Sequence, residues 1–285
     1  MKSNPEVRQV VDQFQLGLPN SPVSGQSGEL LGRGTGSSLE FQEHREYLPG
    51  DDIRHLDWAA YARTDSLMIR MYREEISPRT TIFLDGSKSM STGDGEKSKV
   101  ARQLASAFSL MVGALGARPT VMVLDDQVPP RPLVGDQIES LTDTALSATG
   151  NLATLVQQGQ IPLKAQSARI LISDFLFPHD PATLIRRFAN NCSLFWVVQV
   201  LTRFEADPKS IGGRRLVDVE SDEFADLRIN STVIQRYKRR LTNLQLQLRE
   251  EVRRTGGTFV TVVAEEGLQR ICMDHLCRCG ILRPR

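Results

Sequence analysis

The chain has 285 residues, 24% of them charged and 40% hydrophobic, with a formal net charge of +1. That length allows one large or two small domains with a sizeable core. The near-neutral balance removes any electrostatic pull toward nucleic acid or an anionic membrane surface. Met1-Lys2-Ser3-Asn4-Pro5-Glu6-Val7 lacks the apolar core and cleavage site of a signal peptide. The most apolar stretch, Leu104 to Leu115, falls well short of the roughly 20 residues that span a bilayer. A cytoplasmic protein is expected, with no direct membrane insertion.

In chain order, Val7 to Leu18 reads as a helix ending near Gly17 and Pro19, and Asn20 to Ser38 as a Gly- and Ser-rich loop. Leu39 to Leu48 and Ser66 to Ile76 are strand-like, separated by the Pro49-Gly50-Asp51-Asp52 turn. From Thr80 the pattern changes to strands that alternate with helices. Thr81 to Leu84 is a short apolar run of the kind buried on both faces of a parallel sheet. Lys97 to Leu115 is amphipathic, with Val100, Leu104, Phe108, Met111 and Leu115 on one stripe and Gly116 as the stop.

Thr120 to Leu124 predicts a strand, joined by a turn at Asp125-Asp126 and Pro129-Pro130 to an edge strand at Arg131 to Val134. Asp136 to Gln158 predicts a helix broken at Gly150. Ala168 to Ser173 and Ser193 to Leu201 are buried strands, with a helix from Pro181 to Asn190 between them. Asn230 to Thr255 predicts the longest helix, with Val233, Tyr237, Leu241, Leu244, Leu248 and Val252 inward and Lys238, Arg239, Arg249 and Arg253 outward. Gly256-Gly257 ends it, Thr258 to Ala264 is the last strand, and a terminal helix follows. The whole predicts an α/β fold: a doubly wound, mostly parallel sheet flanked by helices, preceded by a β-rich extension.

In such sheets ligands sit beyond the carboxyl ends of the strands, where strand order reverses. Asp85 closes one core strand and Asp174 another, and the common strand order makes them neighbours. In Asp85-Gly86-Ser87-Lys88-Ser89 a carboxylate and two hydroxyls therefore gather where a strand meets a helix, a hard-cation donor set. The competing reading is a cap in which Ser87 or Ser89 only bonds backbone donors. Lys88 reads as a loop residue whose charge would compete with a cation.

Upstream runs Arg45-Glu46-Tyr47-Leu48-Pro49-Gly50-Asp51-Asp52-Ile53-Arg54-His55-Leu56-Asp57-Trp58. Its charged pairs read first as a structural clamp, with Tyr47 and Trp58 as buried anchors, and second as a partner surface. Cys272, His275, Cys277 and Cys279 have a soft-metal look, but there is no second knuckle for zinc. Cys272 and Leu276 more simply line a short helix. No disulfide framework is expected.

These two motifs carry a resemblance. Asp85-x-Ser87-x-Ser89 looks like the signature of von Willebrand factor A domains, the first part of their metal-ion-dependent adhesion site. The segment from Arg45 to Trp58, with its Arg-x-Tyr-x-Pro-Gly-Asp-Asp-x-Arg-x-x-Asp-Trp pattern, is similar to the bacterial domain-of-unknown-function-58 family, whose members carry it ahead of such a domain. The resemblance runs from about Leu30 to the end. It implies an N-terminal extension over residues 1–77 bearing Arg45, Tyr47, Pro49, Gly50, Asp51, Asp52, Arg54, Asp57 and Trp58, and a von Willebrand factor A-like domain over 78–285. It implies Mg²⁺ or Mn²⁺ on Asp85, Ser87 and Ser89, with Asp174 as the late aspartate. The middle-loop threonine is displaced: direct register puts Gly150 there, and Thr149 serves after a one-residue shift. Partnership with a MoxR-type AAA+ ATPase is likewise implied by the family.

The expected function is a non-catalytic module whose cation accepts a partner's carboxylate. The alternative is a metal-dependent hydrolase or phosphoryl-transfer enzyme using Asp85, but Ser87 stands where nucleophilic-aspartate phosphatases need a second aspartate. The chain also lacks a phosphate loop or nucleophile elbow.

Overall fold

The computed structural model describes residues 4–18, 39–74, 79–92, 94–125, 130–135, 137–138, 141, 144, 146–148, 150, 152–159, 161–209, 212–217 and 224–285. The predicted 20–38 loop lies outside them. The chain divides into two compact units, residues 1–18 with 78–285, and residues 19–77. The N-terminal segment thus belongs with the larger unit and not with the rest of the expected 1–77 extension.

Helix α1 (Pro5–Gln13) starts at an Asn4 cap and ends where β1 (Phe14–Leu16) begins, four residues earlier than expected for helix. The reason is tertiary: β1 pairs antiparallel with β12 (Leu282–Pro284), the last strand of the chain. Pairing to a segment so distant in sequence leaves no local signal. In the smaller unit, β2 (Leu39–Glu46) pairs antiparallel with β3 (Met68–Glu74), and α2 (Trp58–Thr64) lies between them in sequence.

The larger unit continues with β4 (Thr80–Asp85), α3 (Glu96–Ala114), β5 (Thr120–Leu124), β6 (Pro132–Leu133), α4 (Leu152–Gln157), β7 (Ser167–Ser173), α5 (Pro181–Ala189) and β8 (Cys192–Leu201). Then come α6 (Arg203–Ala206), β9 (Gly212–Val217), β10 (Phe224–Ile229), α7 (Ser231–Arg254), β11 (Thr258–Val263) and α8 (Leu268–Arg270), whose end passes into a π-turn over Ile271–Leu276. The main sheet has the order β11-β8-β7-β4-β5-β6, parallel except for the β6 edge.

Each central strand is apolar on both faces because both faces are covered. Ile82 and Leu84 of β4, Ile170 and Ile172 of β7, and Val198 and Val200 of β8 pack into one core with Leu104, Phe108 and Met111 of α3. Phe83, Leu171 and Val197 pack into the opposite core with α5 and α7, through Phe188, Leu248 and Val252. The fold is thus a doubly wound α/β sheet between two helical layers. Arg169 is the exception inside β7: fully buried, its guanidinium donates to the carbonyls of Lys164, Phe188 and Asn190 and so satisfies the turn that ends α5.

Two expectations fail. The helix from Asp136 to Gln158 is reduced to α4; ahead of it, the described residues form short turns tied down by Leu141 and Leu146 in the core. Leu115 is exposed, because α3 ends one residue before it. The β9–β10 hairpin was not foreseen, since Gly212-Gly213-Arg214-Arg215 offers no apolar alternation.

Candidate functional site

The strand order reverses between β4 and β7, which are direct parallel neighbours. Asp85 at the end of β4 and Asp174 just after β7 are both fully buried there. Gly86 follows Asp85 for a steric reason. Its N–H bonds the Leu124 carbonyl at 2.9 Å, and a methyl group at Gly86 would stand 2.8 Å from that oxygen. A chain that must turn this tightly against β5 needs glycine.

The carboxylate of Asp85 accepts the Ser87 N–H at 3.0 Å on one oxygen and the Ser173 hydroxyl at 2.5 Å on the other. Ser173 Oγ in turn accepts the Phe175 N–H at 3.1 Å. The hydroxyls of Ser87 and Ser89 are 3.0 Å apart. Ser87 precedes a short 3-10 turn over Lys88–Ser91 yet makes no capping bond to it, so its hydroxyl is not serving the helix. Among the described residues no cation pairs with Asp85. Burial pushes its carboxyl up to about 6, and the nearby Asp174 charge adds to the push, against the hydrogen bonds that pull it down.

Asp174 is held differently. Its Oδ1 accepts the Leu176 N–H at 2.9 Å, its Oδ2 meets Lys97 Nζ at 2.6 Å, and its carbonyl accepts Gln199 Nε2 at 2.9 Å. Phe175 adopts φ 57, a left-handed conformation uncommon for a bulky side chain, and it costs on the order of 1–2 kcal/mol. Lys97, fully buried on the first turn of α3, also reaches Glu205 Oε1 at 2.8 Å and Thr92 Oγ1 at 3.5 Å. Burial pulls the Lys97 amine down, but the Asp174 and Glu205 charges more than offset it and hold it above its ordinary range. Glu205 closes a capping box with Thr202 on α6, and its carbonyl accepts the Tyr237 hydroxyl at 2.8 Å. Burial, with the Glu205 and Asp174 charges, pushes Tyr237 up to about 12.

The middle loop comes to the same place. Ala148 bridges Ser87 in parallel fashion, with Lys88 N–H to Ala148 O at 2.9 Å and Ala148 N–H to Gly86 O at 3.0 Å. Thr149, the expected ligand there, lies outside the described residues. Asp85, Ser87, Ser89 and Asp174 thus share one region. Among the described residues no group of three or more His, Cys, Asp or Glu side chains forms a metal cluster.

The donor set still suits a hard cation. It is all oxygen, it includes an uncompensated buried carboxylate, and adjacent ligands of an octahedral Mg²⁺ are about 3 Å apart, matching the two serine hydroxyls. Asp85, Ser87 and Ser89 would hold such an ion; Asp174 already carries Lys97.

Sequence reading missed Lys97, Glu205, Ser173 and Gln199. Lys97 had a signal: it sits three residues before Val100 and seven before Leu104, on the buried stripe of α3.

In the smaller unit, the charges of the upstream motif pair as foreseen. Arg45 meets Asp51 at 2.6 Å, and Arg54 meets Asp52 at 2.6 Å. Asp57 caps α2 through the N–H groups of Ala59 and Ala60, and it binds His44 at 2.8 Å and Arg70 at 2.9 Å. Gly50 at φ 109 makes the turn after Pro49.

Trp58 does not pack as an anchor: it is 65% exposed, its ring edge-on to Tyr61 at 6.4 Å. Asp57 takes the direction facing the sheet, and the next helical residue is rotated about 100° away from it. Tyr47 is half-buried. At the other end of the chain, Cys272 and Leu276 line the core as foreseen, and His275 bonds Glu266 at 2.7 Å.

These features define an α/β protein with a doubly wound sheet and an acid-and-hydroxyl site at the reversal of strand order. The chain belongs to the family described as "Protein of unknown function DUF58", whose model matches residues 43–246. It is similar to uncharacterised proteins of Mycobacterium bovis and Mycobacterium tuberculosis, each 25% identical over 252 residues, 82% of this chain and 78% of theirs. Among solved structures it matches an aerotolerance-related membrane protein from Bacteroides fragilis at 14% identity and a TM-score of 0.40, over 70% of this chain and 99% of that one. Among the described residues, no helix is long and apolar enough to cross a membrane.

Proposed function

We propose that the protein is a non-catalytic interaction module of the von Willebrand factor A type, working in the cytoplasm, that holds Mg²⁺ or Mn²⁺ on Asp85, Ser87 and Ser89. The observation that carries this reading is the buried Asp85 carboxylate, which among the described residues has hydrogen-bond donors but no cation. A bound divalent ion supplies a Lewis-acid position that accepts a carboxylate oxygen from another protein. The chain's own residues orient the loop: Ser173 and the Ser87 amide fix Asp85, Gly86 brings the loop against β5, and Ala148 ties the middle loop to it.

The hydrolase reading has less support. Among the described residues the Ser87 and Ser89 hydroxyls bond each other, with no imidazole or amine to activate either. The partner proposed is a MoxR-type AAA+ ATPase presenting an acidic residue. Capture of that ATPase by the purified protein in MgCl₂ tests it. Loss of capture in Asp85→Ala and in excess chelator is expected; undiminished capture in both overturns the metal-mediated grip.

A further inference from the structure

Lys97 is placed where an amine is expensive. It is fully buried, and it occupies the first turn of α3, where the helix dipole disfavours positive charge. Two carboxylates offset that cost, from elements far apart in sequence: Asp174 after β7 at 2.6 Å and Glu205 on α6 at 2.8 Å. With Thr92 Oγ1 at 3.5 Å, the three hydrogens of the ammonium have three acceptors. Glu205 is itself fixed, since its other oxygen accepts the Thr202 N–H at 2.7 Å. The amine thus has one seat on the late aspartate of the candidate cation site and a second, rigid seat outside it.

We propose that Lys97 is a resident counter-cation that occupies Asp174 and sets the divalent-ion affinity of the site, with Glu205 as the seat that retains it when an ion draws on Asp174. This rests on reading Asp85, Ser87 and Ser89 as cation ligands. The charge count follows directly. Asp85, Asp174 and Glu205 against Lys97 leave two net negative charges, which one divalent ion neutralises. Removing Lys97 makes the site more attractive to an ion, and removing the Glu205 charge makes it less so. A purely structural ion pair gives no such opposition, because deleting either partner only loosens the site.

The test is titration of the full chain with MnCl₂, following free Mn²⁺ by electron paramagnetic resonance, with thermal unfolding as the check on folding. Lys97→Gln is expected to bind Mn²⁺ at least about tenfold more tightly than the natural chain, and Glu205→Gln about tenfold more weakly. Glu205 is partly exposed, so its variant remains informative even if Lys97→Gln fails to fold. Unchanged or tighter binding in Glu205→Gln overturns the proposal, as does unchanged or weaker binding in a folded Lys97→Gln. Binding by Lys97→Gln where the natural chain binds none supports the proposal and overturns the metal-dependent function above. Binding by the natural chain that neither substitution alters does the reverse. Absence of binding in every form overturns both.

Discussion

Asp57 and Asp85 are two covered aspartates with opposite surroundings. Asp57, in the smaller unit, lies between Arg70 and His44 and caps α2, so its negative charge has cations and amides to meet it. The bond from Arg70, then those from Ala60 and His44, hold its carboxyl well below the usual carboxylate range. Asp85 has a hydroxyl and an amide but no cation among the described residues, and burial moves it in the other direction. The two show one residue type in a clamp and, on the proposed reading, in a site. A carboxylate whose counter-charge is built in holds structure together, and one whose counter-charge is missing is poised to take a cation from solution.

The sharpest way to break the contrast is substitution. Asp85→Ala is expected to abolish Mn²⁺ binding, while Asp57→Ala leaves it unchanged and instead speeds amide exchange in β2 and β3. Equal loss of Mn²⁺ in the two variants erases the distinction.

A second effect, of intermediate size, is the response to pH in chelator. The Asp85 carboxyl is raised from 3.8 to about 6, so between those values the folded chain binds its proton more tightly than the unfolded chain. Its contribution to stability is greatest below about pH 4 and falls by on the order of 2–3 kcal/mol as pH rises through 6. Asp57 has the reverse sign: its contribution is present above about pH 4 and is lost as pH falls below that. Amide exchange should show β4 and β7 weakening as pH rises from about 4 to 7, and β2 and β3 weakening as pH falls from about 4 to about 2.5. A common direction in both units sinks the comparison.

The smallest effect is expected at Trp58. Although it adjoins Asp57, Trp58→Ala should shift stability by no more than about 0.5 kcal/mol, since the side chain is largely exposed. A large drop in the thermal midpoint would restore it as an anchor.

How much was legible follows the range of the interactions. β4 and β7 were readable because a run apolar on both faces is a local signal, and the approach of Asp85 to Asp174 followed from strand order alone. The stripe of α3 was readable for the same reason. Lys97 was overlooked because a lysine near a helix start normally reads as solvated; its partners are 77 and 108 residues away. The shortening of α1 was hidden likewise, since β1 exists only through β12 at the far end of the chain. Trp58 was misjudged because aromatic residues usually pack, and here a two-stranded sheet offers too little surface to cover both it and Asp57.

The Ser173 hydroxyl has one further consequence. Its oxygen accepts the Phe175 N–H, which leaves its hydrogen to point at Asp85, so the three groups form a relay with a fixed polarity. Negative charge on Asp85 strengthens the Ser173 bond, which in turn draws harder on the Phe175 amide. The backbone bend at φ 57 is thereby tied to the charge that, on the proposed reading, a cation would neutralise. On the proposed reading, filling the site would slacken that tether and emptying it would tighten it, so the loop after β7 would register what Asp85 is holding.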